Sequence, residues 1–212
     1  MTQVFVVGAS ITYGVGASEA GWADLIKRYF HSKMYSSGGV GEEYEVFNFS
    51  KSGTPIDFVL ESYPTWIKEY YRKDKLVIVF SLGINDSKAT DQPTNFFSSP
   101  DKYSEQLRKL IGMFKSDTNQ IFGVGNAYVD EPKTTPKSNP FTGSKSFFTN
   151  ERIRLFDKTT ADVSTASGVD FTEIDVDKER WIKDCLYSDG LHPNQTGHQL
   201  IFESIKPKLD NI

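Results

Sequence analysis

Cysteine and histidine are scarce in this chain of 212 residues: one cysteine, Cys185, and three histidines, His31, His192 and His198. A lone thiol closes no internal disulfide, and without H-E-x-x-H spacing three histidines do not assemble a zinc site. No metal and no cofactor are therefore expected. Positive charge is not in excess either. Lys and Arg number 24 against 28 Asp and Glu, a net charge of −4, which gives no basic field to draw nucleic acid or an anionic bilayer. No apolar run approaches the length of a membrane span, and no basic segment precedes the first apolar residues, so a cytoplasmic protein without an integral membrane segment is the expectation. Gly8 to Gly14 lacks the lysine of a P-loop, and Gly14-Val-Gly16 lacks the third glycine of a dinucleotide fingerprint. No G-x-S-x-G occurs.

What remains is a globular composition, 38% hydrophobic and 25% charged, of a size that suits one domain over residues 1–212 with a substantial core. Within Gln3 to Val7, Val4-Phe-Val-Val is a continuous apolar run with adjacent valines, the pattern of a strand buried on both faces. It stops abruptly at Gly8-Ala9-Ser10. Trp22, Leu25, Ile26, Tyr29 and Phe30 then fall at helical spacing, predicting a helix over about 20–31 with His31 at its end, where a cation suits the dipole. Ser36 to Gly41 reads as a flexible connection. Tyr44 to Phe49 reads as a second strand, followed by Ser50-Lys-Ser-Gly53. A second helix starts near Asp57, with Val59, Leu60, Tyr63, Trp66, Ile67 and Tyr70 inward, and Pro64 should kink it or open a new segment.

Leu76 to Leu82 is the clearest buried strand, and it ends in Gly83-Ile84-Asn85-Asp86. Residues 87–100 read as a loop. Tyr103, Leu107, Leu110, Ile111 and Phe114 mark a third helix. A fourth strand follows at Gln120 to Gly125, a polar excursion at 130–145, a fourth helix at 148–166 and a short fifth strand at Val169 to Ile174. Ile201, Phe202, Ile205 and Leu209 define the closing helix, after Tyr187-Ser-Asp189-Gly-Leu-His192-Pro193. Strands alternating with helices, without repeats or a linker, argue a three-layer α/β fold on a parallel sheet.

Ser10, Gly53 and Asn85 each lie just past a strand's carboxyl end, the edge of an open sheet where ligands bind. Asp189 and His192, three apart in a turn, can project the same way, a carboxylate bonding one imidazole nitrogen and leaving the other as a base. A serine hydroxyl needs such a base, the base an orienting group, and a developing oxyanion fixed donors. Ser10, His192 and Asp189 are the candidates for the first three. The Ser10 and Gly53 backbone N–H groups and the Asn85 amide are the candidate donors. Each has a structural use as well: Ser10 and Asp189 as turn formers, Asn85 as a helix cap, His192 as a bonded histidine. Asp86 organises the loop after the third strand, His198 caps or packs in the last helix, and Cys185 reads as a buried small residue.

Together these residues resemble the SGNH (GDSL-type) hydrolase family over the whole chain. Gly8-Ala9-Ser10-Ile11-Thr12 corresponds to its first block, Gly53 to the second, Gly83-Ile84-Asn85-Asp86 to the third and Asp189-Gly-Leu-His192-Pro193 to the last. Ala9 departs from the aspartate usual in the first block. The resemblance implies a flavodoxin-like α/β/α sandwich, its five-stranded parallel sheet in the order 2-1-3-4-5, and a metal-free serine mechanism. It implies a serine esterase or acylhydrolase acting on a small-molecule ester, with Ser10, Asp189 and His192 catalytic and Ser10, Gly53 and Asn85 forming the oxyanion hole. Family activities also include thioesterase and carbohydrate deacetylase. Acyl transfer and a non-catalytic ester- or glycan-binding domain are the other readings, and no feature prescribes an oligomeric state. Phe96, Phe97, Phe141, Phe147 and Phe148 either roof an acyl pocket or pack their loops onto the domain.

Overall fold

The computed structural model describes residues 1–36, 38–139 and 142–212. In chain order its elements are β1 (Thr2–Gly8), α1 (Ser10–Tyr13), α2 (Trp22–Ser36), β2 (Tyr44–Ser50), α3 (Ile56–Tyr70), β3 (Lys75–Ser81), α4 (Ile84–Ser87), β4 (Ala89–Thr90) and α5 (Pro100–Asp117). They continue with β5 (Gln120–Val124), α6 (Glu131–Thr134), β6 (Lys137–Ser138), β7 (Lys145–Phe147), α7 (Asn150–Ala166), β8 (Asp170–Thr172) and α8 (Lys178–Arg180). A π-helical turn at Trp181–Cys185 leads to α9 (Gln195–Leu209).

Five strands form one sheet in the order β2-β1-β3-β5-β8, and every pairing in it is parallel. Counted along the chain this is the expected 2-1-3-4-5. Alternation along the strands builds a core on each face. Val4, Val6, Val77 and Val79 meet Trp22, Ile26 and Phe30 of α2 and Ile201, Ile205 and Leu209 of α9. Phe5, Val7, Ile78 and Phe80 point the other way, onto Val59 and Tyr63 of α3, Leu107 and Phe114 of α5 and Phe156 of α7. Because β1 and β3 are central and covered on both sides, their residues read as unbroken apolar runs.

Three expectations change. Helix α2 runs on to Ser36, so His31 stands inside it, its ring edge-on to Tyr35 at 5.9 Å, and has no place at a helix end. Pro64 opens no new segment, because helix α3 continues through it as one element; Pro64 lies on the exposed face, where water can take the Leu60 carbonyl that loses its N–H partner. The stretches 87–100 and 130–145 are not simple loops. They contribute β4 and β6, which join β7 in a small antiparallel sheet of order β4-β7-β6, and Thr134 within the polar excursion is fully buried. Strands of two and three residues carry no periodicity, so composition hid them. The remaining connection of 36–41 includes Ser37, outside the described residues. Among the described residues no helix is long and apolar enough to cross a membrane.

Candidate active site

The carboxyl ends of β1, β2 and β3 deliver Ser10, Gly53 and Asn85 to one edge of the sheet. Ser10 is the first residue of α1, two residues past the end of β1, where its N–H lies outside the helical ladder. The Ala9 carbonyl and the Tyr13 N–H close the turn at 2.8 Å. Ala9 itself is buried. The opposite wall is the turn Tyr187–Asn194. It is bound across its base by the Tyr187 N–H to the His192 carbonyl at 2.8 Å and the Asn194 N–H to the Cys185 carbonyl at 2.8 Å. Asn194 caps α9 through Oδ1, which accepts from the Gly197 N–H at 3.1 Å, while its Nδ2 donates to the Asp184 and Leu186 carbonyls. The closing helix thereby fixes the turn that carries Asp189 and His192.

These two walls meet. His192 Nε2 lies 2.9 Å from Ser10 Oγ, across 182 residues of sequence, and His192 Nδ1 lies 2.6 Å from Asp189 Oδ2. Asp189 Oδ1 accepts from the Leu191 and His192 backbone N–H groups, each at 3.0 Å. Burial opposes ionisation of Asp189, but the hydrogen bonds from the His192 ring and these two N–H groups outweigh it and hold the carboxyl well below its usual range. Gly16 explains how the walls approach so closely: its φ is +95°, and a Cβ there would stand 2.2 Å from the Pro193 carbonyl oxygen.

Gly53 follows β2 with φ +78°, and its N–H has no hydrogen-bond partner among the described residues. Asn85 is the second residue of α4; its Nδ2 donates to the Thr54 carbonyl at 3.1 Å, which orients the amide and leaves its second hydrogen unused. Asp86 turns away and takes the Ile56 N–H at 3.2 and 3.3 Å. Burial pushes its carboxyl up to about 6, against the pull of that N–H. Thus Asp86, expected to organise the loop after β3 in which it stands, instead braces the Gly53–Ile56 loop after β2.

Ser10, Gly53, Asn85 and His192 line one open cleft of about 430 Å³. Lys137 reaches the same cleft from β6 and pairs with Asp189 Oδ2 at 3.1 Å. Nothing in the polar stretch around Lys137 marks it, so the pairing is invisible before folding. Phe148 is the one ring of the five aromatic candidates that lines the cleft among the described residues. Phe96 packs its face on the Arg152 guanidinium at 3.9 Å, Phe97 stands 5.8 Å from Lys88 Nζ, and Phe147 pairs with Ala89 across the small sheet. None of these three lines the cleft, and Phe96 and Phe97 are exposed. Phe141 lies outside the described residues. Among the described residues no group of His, Cys, Asp and Glu side chains is placed to hold a metal ion.

The family model described as GDSL-like Lipase/Acylhydrolase matches residues 4–205. The chain belongs to the GDSL-like lipase/acylhydrolase family. As a member it is a carboxylic ester hydrolase. Solved structures agree on the fold. The crystal structure of TesA superposes with a TM-score of 0.69 at 19% identity, covering 99% of this chain and 98% of the other. A lipase/acylhydrolase from Enterococcus faecalis gives 0.68 at 23% identity, over 98% and 97%. The acetylxylan esterase Axe2 from Geobacillus stearothermophilus gives 0.68 at 16% identity, over 98% and 93%. At these identities the likeness is one of fold. No curated protein sequence matches the chain.

Proposed function

We propose that the protein cleaves carboxylic esters through an acyl-serine formed on Ser10. Ser10 Oγ attacks the ester carbonyl while His192 Nε2 takes its proton, giving a tetrahedral intermediate. Collapse expels the alcohol, which leaves with that proton. Water then enters, gives its proton to His192, and attacks the acyl-serine; a second collapse returns the proton to Ser10 and releases the carboxylic acid. Asp189, ionised throughout the neutral range, keeps the Nδ1 proton of His192 in place and so presents Nε2 as the base. Lys137 pairs with the same carboxylate oxygen, Oδ2, that bonds the His192 ring.

The observation that carries this reading is the unbroken chain Asp189–His192–Ser10, with bonds of 2.6 and 2.9 Å, opening into a cleft that also holds the unused donors of Gly53 and Asn85. Those N–H groups and the Ser10 N–H supply the oxyanion site. Ala9, in place of the family's usual aspartate, leaves the Ser10–His192 bond intact.

Rapid mixing with p-nitrophenyl acetate tests the two-step course. A burst of nitrophenolate equal to the enzyme, followed by slower turnover, is expected, and none in Ser10→Ala. Turnover retained by Ser10→Ala would remove the reading. A series of p-nitrophenyl esters of rising acyl length, with an acetylated sugar alongside, then places the substrate.

A further inference from the structure

The chain as a whole is acidic, yet the charged side chains that line the cleft beside Ser10 are Lys88 and Lys137, with no carboxylate among the lining residues described. Lys137 is committed: its ammonium lies 3.1 Å from Asp189 Oδ2 and 3.3 Å from the Asp189 carbonyl oxygen. Lys88 is not. Its acidic neighbour in sequence, Asp86, turns inward to the Ile56 N–H. Among the described residues Lys88 Nζ has no ion pair, only the face of Phe97 at 5.8 Å. The side chain is half-buried, and burial pulls its pKa down, with the more distant Asp86 charge offsetting this only in part. An ammonium withdrawn from water without a counter-ion is destabilising, and an incoming anion relieves it. Its backbone is held, because the Lys88 carbonyl accepts from the Phe97 N–H at 2.9 Å and Arg152 ties the adjoining Ser87 and Ser98 carbonyls at 3.1 and 2.8 Å. The cation thus projects from a fixed wall. Ser138 and Ser146 add hydroxyls on the same lining.

We propose that Lys88 selects esters bearing an anionic group, a carboxylate or its equivalent, on the part of the substrate that lies beyond the scissile bond. This rests on the ester-hydrolase reading of the cleft. The ammonium would pair with the substrate anion while Ser10 meets the carbonyl, so the gain appears in kcat/KM for charged esters above that for neutral ones.

Two substrate pairs test it. In the first, 4-acetoxybenzoate against its neutral methyl ester, the charge sits on the alcohol half. In the second, mono-4-nitrophenyl adipate against 4-nitrophenyl hexanoate, it sits on the acyl half. The native protein should favour the charged member of one pair, and which pair responds says which half faces Lys88. The charged-to-neutral ratio of kcat/KM should fall about tenfold or more in Lys88→Met, recover in part in Lys88→Arg, and shrink as salt is added. A ratio that Lys88→Met leaves unchanged in both pairs overturns the proposal, even with both esters hydrolysed. If no ester is turned over, the hydrolase reading has failed instead, and titration calorimetry with 4-hydroxybenzoate and adipate decides the anion site. Binding about tenfold weaker in Lys88→Met supports it; equal affinities for native and variant overturn it.

Discussion

In the turn ahead of α9, His192 sits between a carboxylate and a hydroxyl; inside α9, His198 sits between two backbone groups. His198 is fully buried. Its Nδ1 accepts the Trp22 N–H at 3.3 Å and its Nε2 faces the Val15 carbonyl at 3.1 Å. A backbone N–H can only donate and a carbonyl only accept, so the neutral ring has one tautomer open to it, with the proton on Nε2. Burial pushes its pKa down, and the bond to Val15 offsets this only in part. His198 therefore ties the segment after Ser10 to the closing helix and has no proton to spare. His192 bonds instead to Ser10, whose hydroxyl can give up a proton to Nε2, and to Asp189, which keeps the Nδ1 proton in place. Under the proposed mechanism, the same imidazole is a brace where both its partners are backbone groups and a base where one of them is a hydroxyl that can lose its proton.

Breaking the comparison at its active end should give the largest effect. Under the proposed mechanism His192→Ala lowers kcat on p-nitrophenyl acetate by about 10⁴-fold or more, on the scale seen when a serine hydrolase loses its base. Next comes the oxyanion donor: Asn85→Ala should cost about 10²–10³ in kcat, or about 2.7–4 kcal/mol of barrier, with the fold retained. Activity equal to native would remove Asn85 from the oxyanion site.

The brace gives a smaller effect of another kind. His198→Ala leaves the buried Trp22 N–H and Val15 carbonyl unpaired and opens a cavity, so urea unfolding should register a loss of about 2–4 kcal/mol. Activity per folded molecule should change far less than in His192→Ala. An inactive but fully stable His198→Ala would collapse the distinction between the two rings.

The smallest effect contrasts two carboxylates. The folded-state value of Asp86, about 6, lies above the ordinary value, so its contribution to stability is fully present below about pH 4 and is lost as pH rises through 6. Asp189 runs the other way: its depressed value stabilises the fold above the ordinary carboxylate range, a contribution lost only in stronger acid. Asp86→Asn keeps an oxygen for the Ile56 N–H while removing the buried charge. It should stabilise the protein at pH 7.5 by on the order of 1–2 kcal/mol and make no difference near pH 4. A difference that does not vary with pH would contradict this account of Asp86.

The five-stranded sheet could be read beforehand because β1 and β3 are covered on both faces and so are apolar without interruption, whereas their ends switch abruptly to Ser10 and Asn85. Asp189 and His192 were readable because a short turn sets their mutual geometry locally. What stayed hidden depends on distance. The partners of His198 lie 176 and 183 residues away, and no periodicity announces a bond to Trp22 N–H or Val15 carbonyl. Lys137 stands in a polar stretch like any solvated lysine until β6 pairs with β7 and brings it to Asp189. Lys88 is equally silent, since its half-burial comes from a wall assembled by Arg152 and Phe97. Residues whose meaning is set by one neighbouring turn can be anticipated; those set by the packing of separate loops cannot.

Labelling with a fluorophosphonate, read by mass spectrometry of the digested protein, probes the Ser10–His192 bond most directly, because only a hydroxyl whose proton is drawn away reacts readily. The account predicts one adduct per chain, on the peptide containing Ser10, absent from Ser10→Ala and greatly slowed in His192→Ala. An adduct that persists in Ser10→Ala, or forms at the native rate in His192→Ala, would contradict it.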